Sequence, residues 1–254
     1  MSVILVEIYE MNNLDTPAIT QYPATAVSTW SGFVYQGKIA LYHCLKLIDG
    51  GVEQFELQLD SRDDFAIYKD GVLVSAHQVK AKISNYRSGY ASALNKCAEI
   101  EFDRIEKTSR YFHVSVQLDD TSDHIGENGE VVKFYDYGAE KYCGLGDIEG
   151  RIKGIIQNIC TKRMIDLSDN LLNYNYCLLS EKISATAIEV HRLVQDNRVA
   201  ANEAAYEKRI KASELLDDIL DQNPHNDKVY FATDLRSKLY NHLETRLDSE
   251  LPRM

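Results

Sequence analysis

The chain has 254 residues, enough to bury a sizeable core in one or two domains. Apolar residues make up 44% and charged residues 26%, ordinary for a globular protein, and no apolar run reaches the length that spans a bilayer. A net charge of −11 excludes a protein that coats DNA by bulk electrostatics, without excluding a local basic face.

Residues 1–27 hold both early prolines and few periodic apolar positions, and read as an extended leading segment. A helix follows with Ile39, Leu41, Leu45 and Ile48 on its apolar face; Ser28 or Ser31 would cap it and Gly50-Gly51 end it. Strands are expected near 53–59, 64–69 and 72–80, the last two closed into a hairpin by Asp70-Gly71. A polar loop at 82–89 leads to a helix at 90–108, with Leu94, Cys97, Ala98 and Ile100 on one side. A central strand at 111–118, an acidic loop at 119–130 and a strand at 131–137 complete this part. Beyond about residue 146 the periodicity turns helical, over 147–160, 168–195, 199–221 and 227–247.

Chemistry concentrates in the hairpin. Asp60-Ser-Arg-Asp63-Asp64 precedes its first strand, and Gln78-Val79-Lys80 ends its second. Pairing across the hairpin places Asp64 beside Gln78 and Lys80. Alternation puts those two on one face and Val79 on the other. Two carboxylates and an amide or carbonyl oxygen suit a hard divalent ion, and a neighbouring lysine can hold a water or steady charge on a phosphate. Acidic clusters beside an Asp-Gly turn are also common as plain solvated surface.

Three features in order sharpen this choice: Gly32-Phe33-Val34-Tyr35-Gln36 at a helix start, the acid-x-x-acid-Asp run, and Gln78-Val79-Lys80. Together they resemble the PD-(D/E)xK double-stranded DNA endonucleases of bacterial antiphage defence, as in CBASS effectors, Lamassu nuclease subunits and ABC-three-component systems. The resemblance covers about residues 28 to 115. It implies an α/β fold: a restriction-endonuclease-like mixed sheet flanked by helices at 28–145, followed by an all-helical region at 146–254 for oligomerisation or partner docking. It implies Asp60, Asp64 and Gln78 around Mg²⁺ or Mn²⁺, with Lys80 positioning the attacking water and Gln36 supporting the site. It also implies double-stranded DNA as substrate and an SMC-like or ABC-type ATPase as a possible partner. The family often carries Glu where Asp60 stands, so Asp64 is the firmer ligand.

The basic window 77–112 holds seven Lys or Arg against four acids, and the adjoining window 117–150 holds two against nine. Lys82, Arg87 and Lys96 are the candidate DNA contacts, with Tyr86, Tyr90 and Tyr111 interleaved; aromatic packing is the commoner use of such tyrosines. His77 reads as a partly buried structural histidine, and His43 as packing or surface. Five cysteines, widely spaced and without Cys-x-x-Cys, argue against a zinc site or disulfide framework. With no basic flank or long apolar core at Met1–Glu7, a cytoplasmic protein is expected. Two alternatives remain open: a noncatalytic helical adaptor that retains a weakened nuclease site, and a repair or resolvase nuclease.

Overall fold

The structure, a computed structural model, describes residues 26–60, 63–99, 108–196, 200–221, 232, 233 and 235–239. Its first helix, α1 (Ala26–Asp49), begins within the expected leading segment, so Ser28 and Ser31 lie inside it rather than at its cap. Residues 39–45 of α1 are buried on every side, as expected for a helix enclosed by other elements rather than laid on a surface. Gly51, at φ +84, lets the chain reverse after it.

Three strands follow: β1 (Glu56–Leu59), β2 (Phe65–Lys69) and β3 (Val72–Lys80). Asp70 and Gly71 both have positive φ, as a tight two-residue hairpin turn requires. A bulge interrupts the β2–β3 ladder: Tyr68 pairs with Leu73, but Ile67 pairs with Ser75. A short helix, α2 (Ala91–Ala98), crosses over to β4 (Ser109–Val114), which runs parallel to β3. The remaining strands are β5 (His124–Ile125), β6 (Val131–Phe134) and β7 (Ile210–Lys211), in one seven-stranded mixed sheet of order β5-β6-β4-β3-β2-β1-β7. The expected mixed α/β architecture is therefore present, although β4 and β6 are shorter than the sequence suggested and β5 falls inside the acidic loop.

The helices α3 (Ile148–Lys162), α4 (Asp169–Gln195), α5 (Ala201–Glu207) and α6 (Ala212–Leu220) follow. The continuous helix expected at 199–221 is broken by β7, which pairs Lys211 with Glu56 and Ile210 with Leu57. β-branched Ile210 gains more by covering the open edge of β1 than by continuing a helix. The region after 146 is thus not all helical. Nor does it pack apart: Ile152, Ile156, Ile159, Tyr176, Leu179, Ile183, Leu215 and Ile219 share one core with α1, Leu57, Leu59, Phe65 and Val79. A second, smaller core on the other face joins Tyr90, Leu94 and Cys97 to Phe112, Val114, Val132 and Phe134. Ile100, and most of the helix expected at 227–247, lie outside the described residues; 235–239 are helical and exposed. Among the described residues no helix is long and apolar enough to cross a membrane.

Candidate active site

Asp64 immediately precedes β2. Its carboxylate gathers donors from two elements, β3 and α1. Oδ2 accepts from the Val79 backbone N–H at 2.5 Å and from the Gln78 side-chain amide. Lys80 Nζ lies 3.9 Å from the same oxygen. From α1, Gln36 Nε2 donates to Oδ1 at 3.0 Å. Of the five candidate catalytic residues, three, Gln36, Gln78 and Lys80, therefore converge on the carboxylate of a fourth, Asp64. Gln78 and Lys80 share a face, as strand alternation requires, and pair with Phe112 and Val114 of the smaller core. Tyr35, next to Gln36, is buried and donates to the Cys143 carbonyl at 2.5 Å, which fixes this turn of α1.

The bulge sets this geometry. An unbroken hairpin closed at Lys69 and Val72 would set Asp64 opposite His77, which faces the other way. The extra residue in β3 moves every earlier β2 residue one place along, so that Phe65 meets His77 and Asp64 falls opposite Gln78.

Asp60 completes the group. It is exposed, adopts φ +49, and its amide donates to the Asp64 carbonyl at 3.2 Å, closing the loop between β1 and β2. Asp tolerates this left-handed conformation better than most residues, because its short side chain bonds locally. Asp60 and Asp64 both line a cleft of about 210 Å³ with Gln36 and Lys38 of α1 and Ile183 of α4. Burial pushes the Asp64 carboxyl above its usual range. Lys80, the Val79 N–H and the Gln78 amide oppose that shift, and the Asp60 charge adds to it. Asp63 is buried.

A divalent ion would balance the charge of the half-buried Asp64 and of Asp60, which Lys80 alone does not. The oxygens of Asp60, Asp64 and, after an amide turn, Gln78 form a hard donor set that fits Mg²⁺, which needs only one or two carboxylates and keeps several waters. Among the described residues no group of three or more His, Cys, Asp or Glu could hold a metal ion, so further ligands would be backbone carbonyls or water.

The proposed DNA contacts are differently placed. Arg87 is folded onto the acidic loop: its guanidinium donates to Asp120 at 3.1 Å and to the Ser122 carbonyl at 2.6 Å, and it lies over Phe134. The acidic and basic windows thus meet at Arg87, which braces the loop. Lys82 lies beyond the end of β3, off the strand face that carries Gln78 and Lys80; its ammonium donates to the Gly89 carbonyl at 2.9 Å. Lys96 is exposed on α2. Tyr90 is buried and Tyr111 stacks on His77, leaving Tyr86 as the exposed member of that set.

A second polar cluster went unread in the sequence. His77 Nδ1 and His113 Nε2 share a hydrogen bond of 3.0 Å, extended to Ser75 at one end and Tyr137 at the other. His43 of α1 packs against His77 with the rings tilted by 50° and bonds Tyr135. All three rings are buried, His77 fully rather than partly. The available signal was positional: His77 and His113 alternate onto the α1-facing side of adjacent strands.

Residues 132–250 match the family model for C-terminal domain 1 of the ABC-three component (ABC-3C) systems. No curated protein and no solved structure matches the chain. The matched segment begins inside β6 and takes in α3 to α6, whose apolar residues share the core that α1 forms on one face of the sheet. The C-terminal part of this chain is therefore similar to a domain of ABC-three component systems, which supports a bacterial defence context for the protein.

Proposed function

We propose that the chain is the nuclease effector of such a system: a Mg²⁺-dependent endonuclease acting on double-stranded DNA. The observation that carries this reading is the convergence of Gln36, Gln78 and Lys80 on Asp64. Asp64, Asp60 and Gln78 would hold the ion. When bound, it supplies Lewis-acid polarisation of the phosphate and a water of lowered pKa. Asp64 anchors the site as an acceptor, and Gln36 keeps it from rotating. Lys80 orients the attacking water and stabilises the negative charge that builds on the phosphate oxygens. The water oxygen bonds to phosphorus as one P–O ester bond breaks. The departing alkoxide takes a proton from solvent, and the water gives one up. The similarity to an ABC-three component domain supports an ABC-type ATPase as the partner, and assembly or partner release would switch the effector on.

One observation favours the noncatalytic adaptor instead: both Asp64 oxygens already accept N–H donors, and the only other carboxylate lining the cleft among the described residues, Asp60, faces solvent. Incubating purified protein with plasmid DNA and Mg²⁺ separates the readings. A nuclease linearises or nicks plasmid, EDTA stops it, and Lys80→Ala abolishes it with an unchanged melting temperature. Full cleavage by folded Lys80→Ala would remove the active-site assignment, and no cleavage by the wild type with its partner present would favour the adaptor.

A further inference from the structure

The cleft beside Asp64 has walls from both parts of the chain. Gln36 and Gly37 of α1, Asp60 and Asp64 from either end of the β1–β2 loop, and Ile183 and Ser184 of α4 line it. α4 lies within the segment similar to the C-terminal domain of ABC-three component systems. The two helices touch where α1 has no side chain: a Cβ on Gly37 would stand 3.1 Å from Ile183 Cγ2. A methyl group there is tighter than ordinary van der Waals contact, so α4 bears on the backbone of α1 rather than on a yielding side chain. The next residue back is Gln36, whose amide holds Asp64 Oδ1 at 3.0 Å. α4 in turn is tied to α6, through Asn175 to the Ile219 carbonyl at 3.1 Å and through Lys182 to Asp218 at 2.5 Å.

We propose that Ile183 and Gly37 are positioning residues: through their contact, α4 of the C-terminal region sets the place of Gln36 and so the orientation of Asp64. A displacement of α4 by a few tenths of an ångström passes directly into the site, where errors of about half an ångström already cost rate. A partner that grips the outer side of α4, where Ile188 is exposed, would then alter the site without touching it. The rate consequence rests on the nuclease reading above; the mechanical coupling does not.

The test uses the full chain with Gly37→Ala, Ile183→Ala and the double substitution. The first readout is the ¹⁵N side-chain amide resonance of Gln36 in metal-free protein; the second is Mg²⁺-dependent plasmid cleavage. Gly37→Ala should move the Gln36 resonance and lower kcat about tenfold at unchanged KM. Adding Ile183→Ala, which removes Cγ2, should return both readouts to within about twofold of wild type. If Gly37→Ala fails to fold, Ile183→Ala alone should move the resonance by loosening the contact. An unmoved resonance in a folded single variant, or no recovery in the double, would overturn the coupling. A resonance that moves and recovers in a protein that cleaves no DNA even with its partner present would uphold the coupling and overturn the nuclease reading.

Discussion

Lowering the pH from 7 to 5 should destabilise this protein far more than its carboxylates would suggest. His43, His77 and His113 are buried among Phe65, Tyr111, Tyr135 and Tyr137, and burial is the main cause holding each imidazole below its usual range, His43 down to about 3. In the unfolded chain these rings titrate near 6.5. Below that pH the unfolded chain binds protons that the folded chain refuses, so the stability they contribute is complete above pH 6.5 and is lost as pH falls toward 3. Two pH units from neutrality cost roughly 2 kcal/mol for each ring and roughly 6 kcal/mol for all three, a large share of the 5–15 kcal/mol typical of a domain. The raised Asp64 carboxyl acts in the opposite sense, but at lower pH, where carboxylates titrate. Urea unfolding at half-unit steps measures the slope directly. Three protons correspond to about 4 kcal/mol per pH unit between pH 5 and 6. His43→Leu should lower the slope by one proton, whatever it does to stability at pH 7. A wild-type slope below one proton in that interval would refute the reasoning, because it would mean the rings ionise without unfolding.

Asp64→Asn should remove Mg²⁺-dependent cleavage more completely than Asp63→Asn, compared per folded molecule, since Asp64 alone of the pair meets Gln78 and Lys80; equal losses would contradict the register. Arg209 lies between the Tyr68 and Tyr206 rings, 3.4 and 3.9 Å from their centres, and donates to Gln58 and Glu56. Arg209→Ala should therefore cost about 3 kcal/mol in urea unfolding, with Arg209→Lys recovering under half of it. Cutting the chain after residue 165 removes Tyr176, Leu179, Ile183, Leu215 and Ile219 from the shared core. The fragment should be insoluble or lack a cooperative melt, and a well-folded fragment would show that the C-terminal region is dispensable to the sheet.

Local chemistry was legible in the sequence. The Asp70-Gly71 turn, the alternation of Gln78, Val79 and Lys80, and the meeting of Asp64 with Gln78 all followed from residue types with short-range meaning. Even there the agreement had a hidden condition. The bulge, not the turn alone, brings Asp64 opposite Gln78, and no residue near Val74 announces it. What stayed illegible was long-range. The apolar stripe of α4 looked free to drive association, yet Tyr176, Leu179 and Ile183 are spent on the core. Arg87 looked like a DNA contact because its partners, Asp120 and Ser122, lie more than thirty residues away. Ile210 and Lys211 fit the helical spacing on either side of them, and only the edge of β1 turns them into a strand.

That last pairing has a consequence for how the molecule is made. Leu57 meets Ile210, and the Phe55 carbonyl accepts from the Ala212 amide at 3.0 Å. During synthesis the hairpin bearing Asp64 leaves the ribosome some 150 residues before the strand that covers its neighbour. Until then β1 presents an open edge to any other nascent chain. At about 5–20 residues per second this exposure lasts roughly seven to thirty seconds. A newly made copy is thus most prone to pair wrongly while its candidate site is already spelled out but its sheet is not yet closed.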